Sequence, residues 1–223
     1  MASPFNIHKD ISKAETLPAS FYRDASMFET MKDQIFLKSW QWVGDQSLVK
    51  LPKSFYPFVL LDGYLTEPML LTHDNSGNIN CLTNVCTHRG NILAMSSGKS
   101  NKLTCDYHGR RFKLNGKFES MPEFEKTKDF PRPCDNLHQF PLKKWGPFLF
   151  AGLNPSFDFQ KVIDVMDQRI GFLPLDKFSL DNTLSKEYLV HAHWALYCDN
   201  YLEGFHIPFV HQGLNKVLDY GSY

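Results

Sequence analysis

Two short stretches decide the fold, "CTHRGN" at residues 86–91 and "CDYHGRRFKLNGKF" at residues 105–118. The first presents a cysteine and a histidine as C-x-H, the second presents them as C-x-x-H, and sixteen residues separate His88 from Cys105. Thiolate and imidazole are ligands that suit zinc or an iron–sulfur cluster. The Asn-Gly pair at 115–116 tolerates positive φ and predicts a tight hairpin. The two stretches therefore predict a pair of metal-binding loops on a framework of short β-strands.

The division of ligands between the loops bears on the kind of metal site. A structural zinc site with two cysteines and two histidines is common. Zinc fingers, however, usually group the two cysteines and then the two histidines, whereas each loop here supplies one of each. The mixed arrangement suits a [2Fe-2S] cluster in which Cys86 and Cys105 hold one iron while His88 and His108 hold the other. A zinc-stabilised binding module is the alternative.

Composition narrows the class of protein. The chain has 223 residues, 43% hydrophobic and 22% charged, and its 24 Lys plus Arg balance 24 Asp plus Glu. Because its net charge is zero, the chain has no overall electrostatic attraction for nucleic acid or for an anionic membrane. The longest apolar run is broken by Asp62 and is too short to span a bilayer. With five cysteines and no signal-peptide pattern at the start, we expect a cytoplasmic protein without a disulfide framework.

Periodicity predicts the secondary structure around the loops. Apolar residues at helical intervals predict an amphipathic helix over 24–39, capped by Asp24. Between residues 40 and 154 short strand candidates alternate with turn signals, which indicates a small all-β domain. Residues 185–193 predict a further strand, which leads into a helix beginning near Trp194. The strand candidates within the β domain are "WQWVG", "YPFVLLD", "PMLLT", "INCLTN" and "FLFAGL".

A second constellation, "NYLEGFHIPFVH", occupies residues 200–211. Its two histidines, His206 and His211, are five apart and so do not share one face of an α-helix. Pro208 predicts a helix break between them, which would let both rings converge. Two imidazoles and one carboxylate with open positions form the facial triad of non-heme iron(II) oxygenases. The stretch is therefore a candidate for a second metal site.

Both constellations resemble those of the Rieske non-heme iron oxygenases. The two loops and their flanks look like the cluster loops of the alpha subunits, in both the ring-hydroxylating and the choline monooxygenase-like branches. The resemblance implies a Rieske-type [2Fe-2S] cluster whose inner iron is bound by Cys86 and Cys105. His88 and His108 would bind the outer, solvent-side iron. A mononuclear Fe(II) is the second implied cofactor.

The later stretch is similar to the family signature N-x-x-D-x-x-H-x-x-x-x-H. By that resemblance His206 and His211 are iron ligands, and Asn200 matches the signature's asparagine as a catalytic residue. Glu203 stands where the family usually has aspartate. In the family that acid bridges the iron-binding histidine and a Rieske histidine of the neighbouring subunit. Glu203 is thus expected to link His206 to the neighbour's equivalent of His108, with a geometry altered by one extra methylene.

The family's third iron ligand is a carboxylate far downstream, on another helix of the catalytic domain. Only twelve residues follow His211, and Asp219 is too close in sequence to replace that ligand comfortably. We therefore expect the chain to be a fragment or a truncated gene product that lacks the substrate pocket.

The fold class that the resemblance implies is α+β. Residues 1–39 would form an N-terminal helical segment and residues 40–154 the all-β Rieske domain. Residues 155–223 would begin an α/β helix-grip, START-like catalytic domain.

The activity implied is that of a mono- or dioxygenase component. It would take electrons from a ferredoxin or flavin reductase and use O2 to hydroxylate or oxidatively demethylate a small organic substrate. The family builds head-to-tail homotrimers in which each cluster serves its neighbour, and neither nucleic acid nor membrane is an expected partner. The alternative is a Rieske ferredoxin-type electron carrier without oxygenase activity, which needs only the β domain.

The remaining cysteines and the "HAH" pair are expected to be structural. His191 and His193 would share one side of the predicted strand as a satisfied polar face. Cys81, Cys134 and Cys198 are expected to be small hydrophobic residues or inert thiols.

Overall fold

The computed structural model describes residue 5 and residues 7–218, and it divides into two compact units. One unit comprises residues 32–180. The other comprises the residues up to Met31 together with those from Asp181 onward. The two Cys–His loops lie in the first unit and the later histidine pair lies in the second. The two predicted metal centres therefore belong to different units.

The unit of residues 32–180 is built from antiparallel strands in three small sheets. Their orders are β1-β11-β10, β5-β2-β3-β4-β9 and β6-β7-β8. All five strand candidates named from the sequence are strands, namely β1 to β4 and β11. The strands are β1 (Gln41–Asp45), β2 (Ser54–Leu60), β3 (Glu67–His73), β4 (Ile79–Thr83), β5 (Gly98–Lys99), β6 (Lys102–Thr104), β7 (Arg111–Lys113), β8 (Phe118–Ser120), β9 (Gln139–Phe140), β10 (Leu142–Trp145) and β11 (Phe148–Ala151).

Strand β3 lies in the middle of the five-stranded sheet and is buried on both faces. Leu70 and Leu71 are both fully buried, and because successive side chains of a strand point to opposite faces they enter different cores. The core on the Leu70 side also contains Cys86 and Cys105. The thiols of the predicted metal ligands are therefore packed among apolar side chains.

The predicted hairpin joins β7 and β8. Gly116 has φ +80°, and its N–H donates to the carbonyl of Lys113 at 2.9 Å. Lys113 N–H in turn donates to the carbonyl of Lys117 at 2.8 Å. Positive φ is the conformation that glycine adopts without steric cost. This hairpin extends the second Cys–His loop into the β6-β7-β8 sheet, as the Asn-Gly pair predicts.

The helices are α1 (Ala19–Arg23), α2 (Ala25–Gln34), α3 (Phe159–Ile170), α4 (Trp194–Leu202), α5 (Ile207–Val210) and α6 (Gln212–Asn215). The predicted cap of α2 is confirmed, since Asp24 Oδ1 accepts the Ser26 N–H at 2.8 Å. The helix ends at Gln34, earlier than predicted, and a 3-10 turn follows at Phe36–Lys38. Among the helices of the described residues, none combines the length and the apolar character needed to cross a bilayer.

The strand predicted over residues 185–193 is absent. These residues form no regular structure, and all but the last are exposed. Strand hydrogen bonds come from a neighbouring strand, and none in the described part of the chain pairs with this segment. His193, predicted to share a polar strand face with His191, instead caps α4 by accepting the Ala195 N–H at 3.1 Å.

The break near the later histidine pair does not lie where Pro208 predicts it. Helix α4 begins at Trp194 as expected but ends at Leu202, and Glu203 is extended (φ −124°, ψ 153°). Pro208 lies in the first turn of α5, where its missing N–H has no helical partner to lose. His206 immediately precedes this one-turn helix and His211 immediately follows it.

Candidate metal centres

The first loop, residues 86–91, is closed by two hydrogen bonds of its own backbone. Cys86 N–H donates to the Asn91 carbonyl at 2.8 Å, and Gly90 N–H donates to the Cys86 carbonyl at 3.0 Å. Gly90 has φ +74°, a conformation that would strain any residue carrying a side chain. The turn thus requires glycine four positions after the cysteine.

The second loop, residues 105–110, repeats this backbone pattern. Cys105 N–H donates to the Arg110 carbonyl at 2.8 Å, Gly109 N–H donates to the Cys105 carbonyl at 2.9 Å, and Gly109 has φ +69°. Each loop therefore closes from its cysteine to the residue five positions later. The loops differ in the histidine, which is two positions after the cysteine in the first and three in the second.

The four predicted ligands form an inner and an outer pair. Cys86 and Cys105 are each only 2% exposed, and their thiols interact with each other. His88 is half-buried and His108 is exposed, with ring centroids 4.8 Å apart. We expect the sulfurs to be buried and the imidazoles to be more exposed if the cysteines bind an inner iron and the histidines an outer one.

Burial shifts the pKa of two of these residues, Cys86 and His88. Burial raises the pKa of the Cys86 thiol, and the neighbouring Cys105 raises that pKa further. A thiolate here needs a compensating cation, which a bound metal supplies. Burial also lowers the pKa of His88, aided by the charges of His108 and Arg89. A neutral imidazole is the form that binds metal.

The donors form two pairs, the buried cysteines and the histidines at the rim. Among the described residues, no three His, Cys, Asp or Glu side chains converge as ligands of one ion would. A tetrahedral zinc site brings four donors to one ion. A [2Fe-2S] cluster takes two protein ligands at each of two irons. The paired geometry and the mixed donor set fit the cluster.

A buried ion pair joins the two loops and was missed from the sequence. Arg110, the last residue of the second loop, donates from Nη2 to Asp135 Oδ1 at 2.7 Å and to the Asp135 carbonyl at 3.1 Å. The same carbonyl accepts the hydroxyl of Thr87 in the first loop at 2.9 Å. Arg110 is only 3% exposed. Its guanidinium lies over the rings of Phe112, Phe118 and Phe130 at 5.7, 4.9 and 5.6 Å.

The later histidine pair forms a second cluster of side chains. The rings of His206 and His211 have centroids 5.2 Å apart at 79°. Glu203 Oε1 is hydrogen-bonded to His206 Nδ1 at 2.5 Å, and its other oxygen accepts the Phe205 N–H. Asn200 is exposed on α4, and Asp219 lies outside the described residues. The structure thus brings together three of the four residues predicted for this site.

Glu203 fixes the orientation of the His206 ring. The hydrogen bond to His206 outweighs partial burial and holds the pKa of Glu203 below its usual range. An ionised carboxylate only accepts hydrogen bonds, so Nδ1 of His206 carries the proton. In the neutral ring, Nε2 is then the nitrogen whose lone pair can bind a metal. This carboxylate–histidine arrangement is typical of metal sites, where it orients the ligand and raises its basicity.

Comparison with known proteins gives the class of this fold. Residues 39–131 match the family model of the Rieske [2Fe-2S] domain, and this part of the chain is a Rieske domain. Over its whole length, the chain is similar to the N-terminal portion of Rieske oxygenase subunits named choline monooxygenase and carnitine monooxygenase. The family predicted from the two loops is confirmed.

Several of the proteins similar to this chain are named for choline, for carnitine or for quaternary ammonium compounds. The chloroplastic choline monooxygenase of Atriplex hortensis is 31% identical over 219 residues, which are 94% of this chain and 48% of that protein. The carnitine monooxygenase oxygenase subunit of Escherichia coli (strain K12) is 28% identical over 227 residues, 99% of this chain and 58% of that subunit. The apo quaternary ammonium Rieske monooxygenase CntA has the same fold, with a TM-score of 0.73 at 24% identity over 89% of this chain and 57% of that one. The chain spans about half the length of the curated relatives it matches.

Proposed function

We propose that this chain is the N-terminal portion of the oxygenase component of a Rieske monooxygenase acting on a quaternary ammonium compound. Cys86, His88, Cys105 and His108 hold the [2Fe-2S] cluster, and His206 and His211 supply two ligands of a mononuclear iron. When bound, these groups supply one-electron transfer and O2 activation. A ferredoxin or flavin reductase is the electron donor, and the compartment is the cytoplasm.

The observation that carries the proposal is the contact between Glu203 and His206. A Rieske electron carrier needs no second metal site, yet here a carboxylate orients one of two adjacent imidazoles. Glu203 is engaged through both oxygens, so we assign it to orientation and electron transfer and not to the iron. The third iron ligand would be a carboxylate from the part of the protein that the relatives have beyond this chain.

The architecture proposed for the second half follows from the same assignment. Residues 40–154 are the Rieske domain, preceded by the helical segment 1–39. Residues 155–223 begin a helix-grip, START-like catalytic domain. In a head-to-tail homotrimer Glu203 would connect His206 with His108 of a neighbouring copy, while Asn200 would contribute to the same site from α4.

Relatives support the substrate class. The choline and carnitine monooxygenases match 93% or more of this chain at 26–31% identity. Two naphthalene 1,2-dioxygenase structures match 62% and 90% of it, but at only 22% and 18% identity, with TM-scores of 0.55 and 0.69. Quaternary ammonium compounds are therefore the first substrates to test, and an aromatic hydrocarbon is the contrasting one.

A single-turnover assay on the full-length protein containing this chain tests the function. The chemically reduced protein is mixed with O2 and with choline, carnitine or naphthalene. We expect product from choline or carnitine only, and we expect His211→Ala to abolish it while the cluster spectrum is retained. His191→Ala, which changes an exposed histidine of the same unit, is the matched control. Reversible cluster oxidation without any product and without iron at His206 would instead identify an electron carrier.

A further inference from the structure

Asn91 and Arg110 occupy equivalent positions in the two loops, each five residues after its cysteine. Each carbonyl accepts the cysteine N–H of its own loop. Each side chain, in contrast, makes contacts outside its own loop. Arg110 is bonded to Asp135, and Asn91 reaches from the first loop to the second. The side chains at these two positions therefore hold the loops together from separate places.

The amide of Asn91 faces three acceptors. Its Nδ2 lies 2.6 Å from Asp106 Oδ1, 3.0 Å from the Ile92 carbonyl and 3.7 Å from Cys105 Sγ. Because the Asp106 carboxylate and the Ile92 carbonyl only accept hydrogen bonds, the amide nitrogen and not the oxygen must point at them. The same nitrogen then faces the Cys105 sulfur with its N–H groups.

We propose that Asn91 is a positioning residue that donates a hydrogen bond to the Cys105 sulfur and thereby raises the reduction potential of the cluster. This inference rests on the proposed cluster ligation. Bound to iron, Cys105 is a thiolate and a stronger acceptor than the thiol. Reduction adds one electron to the cluster, and a donor at a ligand sulfur stabilises the added negative charge.

Asp106, which is hydrogen-bonded to Asn91, acts on the reduction potential of the cluster in the opposite direction. Its carboxylate is exposed and binds the same amide nitrogen of Asn91. A negative charge beside the cluster disfavours the reduced state. The two residues hold each other in place but act on the potential with opposite sign. If this contact only held the loops together, the two substitutions would not shift the reduction potential in opposite directions.

The test is a redox titration of the cluster-loaded full chain, with the low-temperature paramagnetic spectrum confirming a Rieske cluster in each variant. In Asn91→Ala we expect the equilibrium constant for reduction to fall about tenfold, a change of ~59 mV for a one-electron couple. In Asp106→Ala we expect the potential to rise, because a negative charge beside the cluster is removed. Equal potentials in wild type and Asn91→Ala, or a potential in Asp106→Ala that is not raised, would overturn the proposal.

An isosteric substitution keeps the test decisive if Asn91→Ala fails to hold the cluster. Asn91→Leu retains the size and the neutral charge of the side chain but removes the donor that faces Cys105. A lower potential at full cluster content supports the proposal, and an unchanged potential rejects it. Loss of the Rieske spectrum from the wild-type chain itself would instead refute the cluster assignment, so the two failures are distinguishable.

Discussion

Arg110 and Asp135 form a buried ion pair, with Nη2 of the arginine 2.7 Å from Oδ1 of the aspartate. Through the Asp135 carbonyl the pair is also connected to Thr87 of the first loop. The cluster loops are therefore held by a third segment of chain as well as by their own turns. This connection makes the stability of the loops depend on a single buried cation.

Removal of that cation should destabilise the protein strongly. Arg110→Met leaves Asp135 buried without its partner, a change that costs about 3–5 kcal/mol. Lys102→Met is the matched control, because Lys102 pairs with Glu119 at 2.9 Å with both side chains about a third exposed, and such pairs contribute about 0–1 kcal/mol. Urea unfolding of the two variants measures both values. Equal losses of unfolding free energy would mean that the buried ion pair contributes no more to stability than the exposed one.

Acid should weaken the same contact. Burial alone would raise the pKa of Asp135, but hydrogen bonds from Arg110 and the Arg132 N–H outweigh it and hold the pKa below its usual range. The pair's contribution is therefore complete above the ordinary aspartate pKa and is lost as pH falls through the lower, folded value. Unfolding free energies measured from about pH 6 to about pH 3 should fall less steeply in Asp135→Asn than in wild type. Asp33→Asn, at an exposed position of α2, should keep the wild-type slope, and a shared slope for all three proteins would contradict the assignment.

The two sides of β3 should respond differently to the same substitution. Leu70→Ala and Leu71→Ala each empty a fully buried position and should each cost about 2–5 kcal/mol. Only Leu70 shares a core with Cys86 and Cys105, so only Leu70→Ala should speed loss of the cluster. The measurement is the decay of visible cluster absorbance at equal protein stability. Equal decay in both variants would show that the packing behind the cysteines does not protect the cluster.

Glu203→Gln tests the proposed electron route. Glutamine can still accept from His206 Nδ1, but its amide nitrogen cannot accept the Phe205 N–H, and the negative charge is lost. We expect both metals to remain bound in the full-length protein while cluster oxidation in a single turnover slows at least tenfold. Glu187→Gln, at an exposed site of the same unit, controls for charge alone. Identical oxidation rates in the two variants would reject a role for Glu203 between the centres.

The sequence predicts what depends on local pattern. The ligand spacing, the Asn115–Gly116 hairpin and the alternating strands around the loops are all short-range features, and each is present in the structure. The segment 185–193 was predicted wrongly because a strand depends on a partner that the pattern of one segment does not contain.

Contacts between distant parts of the chain could not be predicted from local sequence patterns. Arg110 stands in the sequence as one of two adjacent arginines beside a turn, which suggests surface charge. In the structure Arg110 is buried and Arg111 is exposed, and the partner Asp135 is 25 residues away. The contact from Asn91 to Cys105 likewise joins two loops that only the fold brings together.

The most direct test of the account is the low-temperature paramagnetic spectrum of the reduced, aerobically isolated chain, taken with its iron, zinc and labile sulfide content. We predict two irons and two sulfides per chain and a Rieske-type spectrum that His108→Ala abolishes. His138→Ala should leave it unchanged, because His138 is exposed and packs against Phe140 at a ring distance of 4.6 Å. A colourless protein with stoichiometric zinc and no labile sulfide would contradict the account, as would a spectrum that survives in His108→Ala.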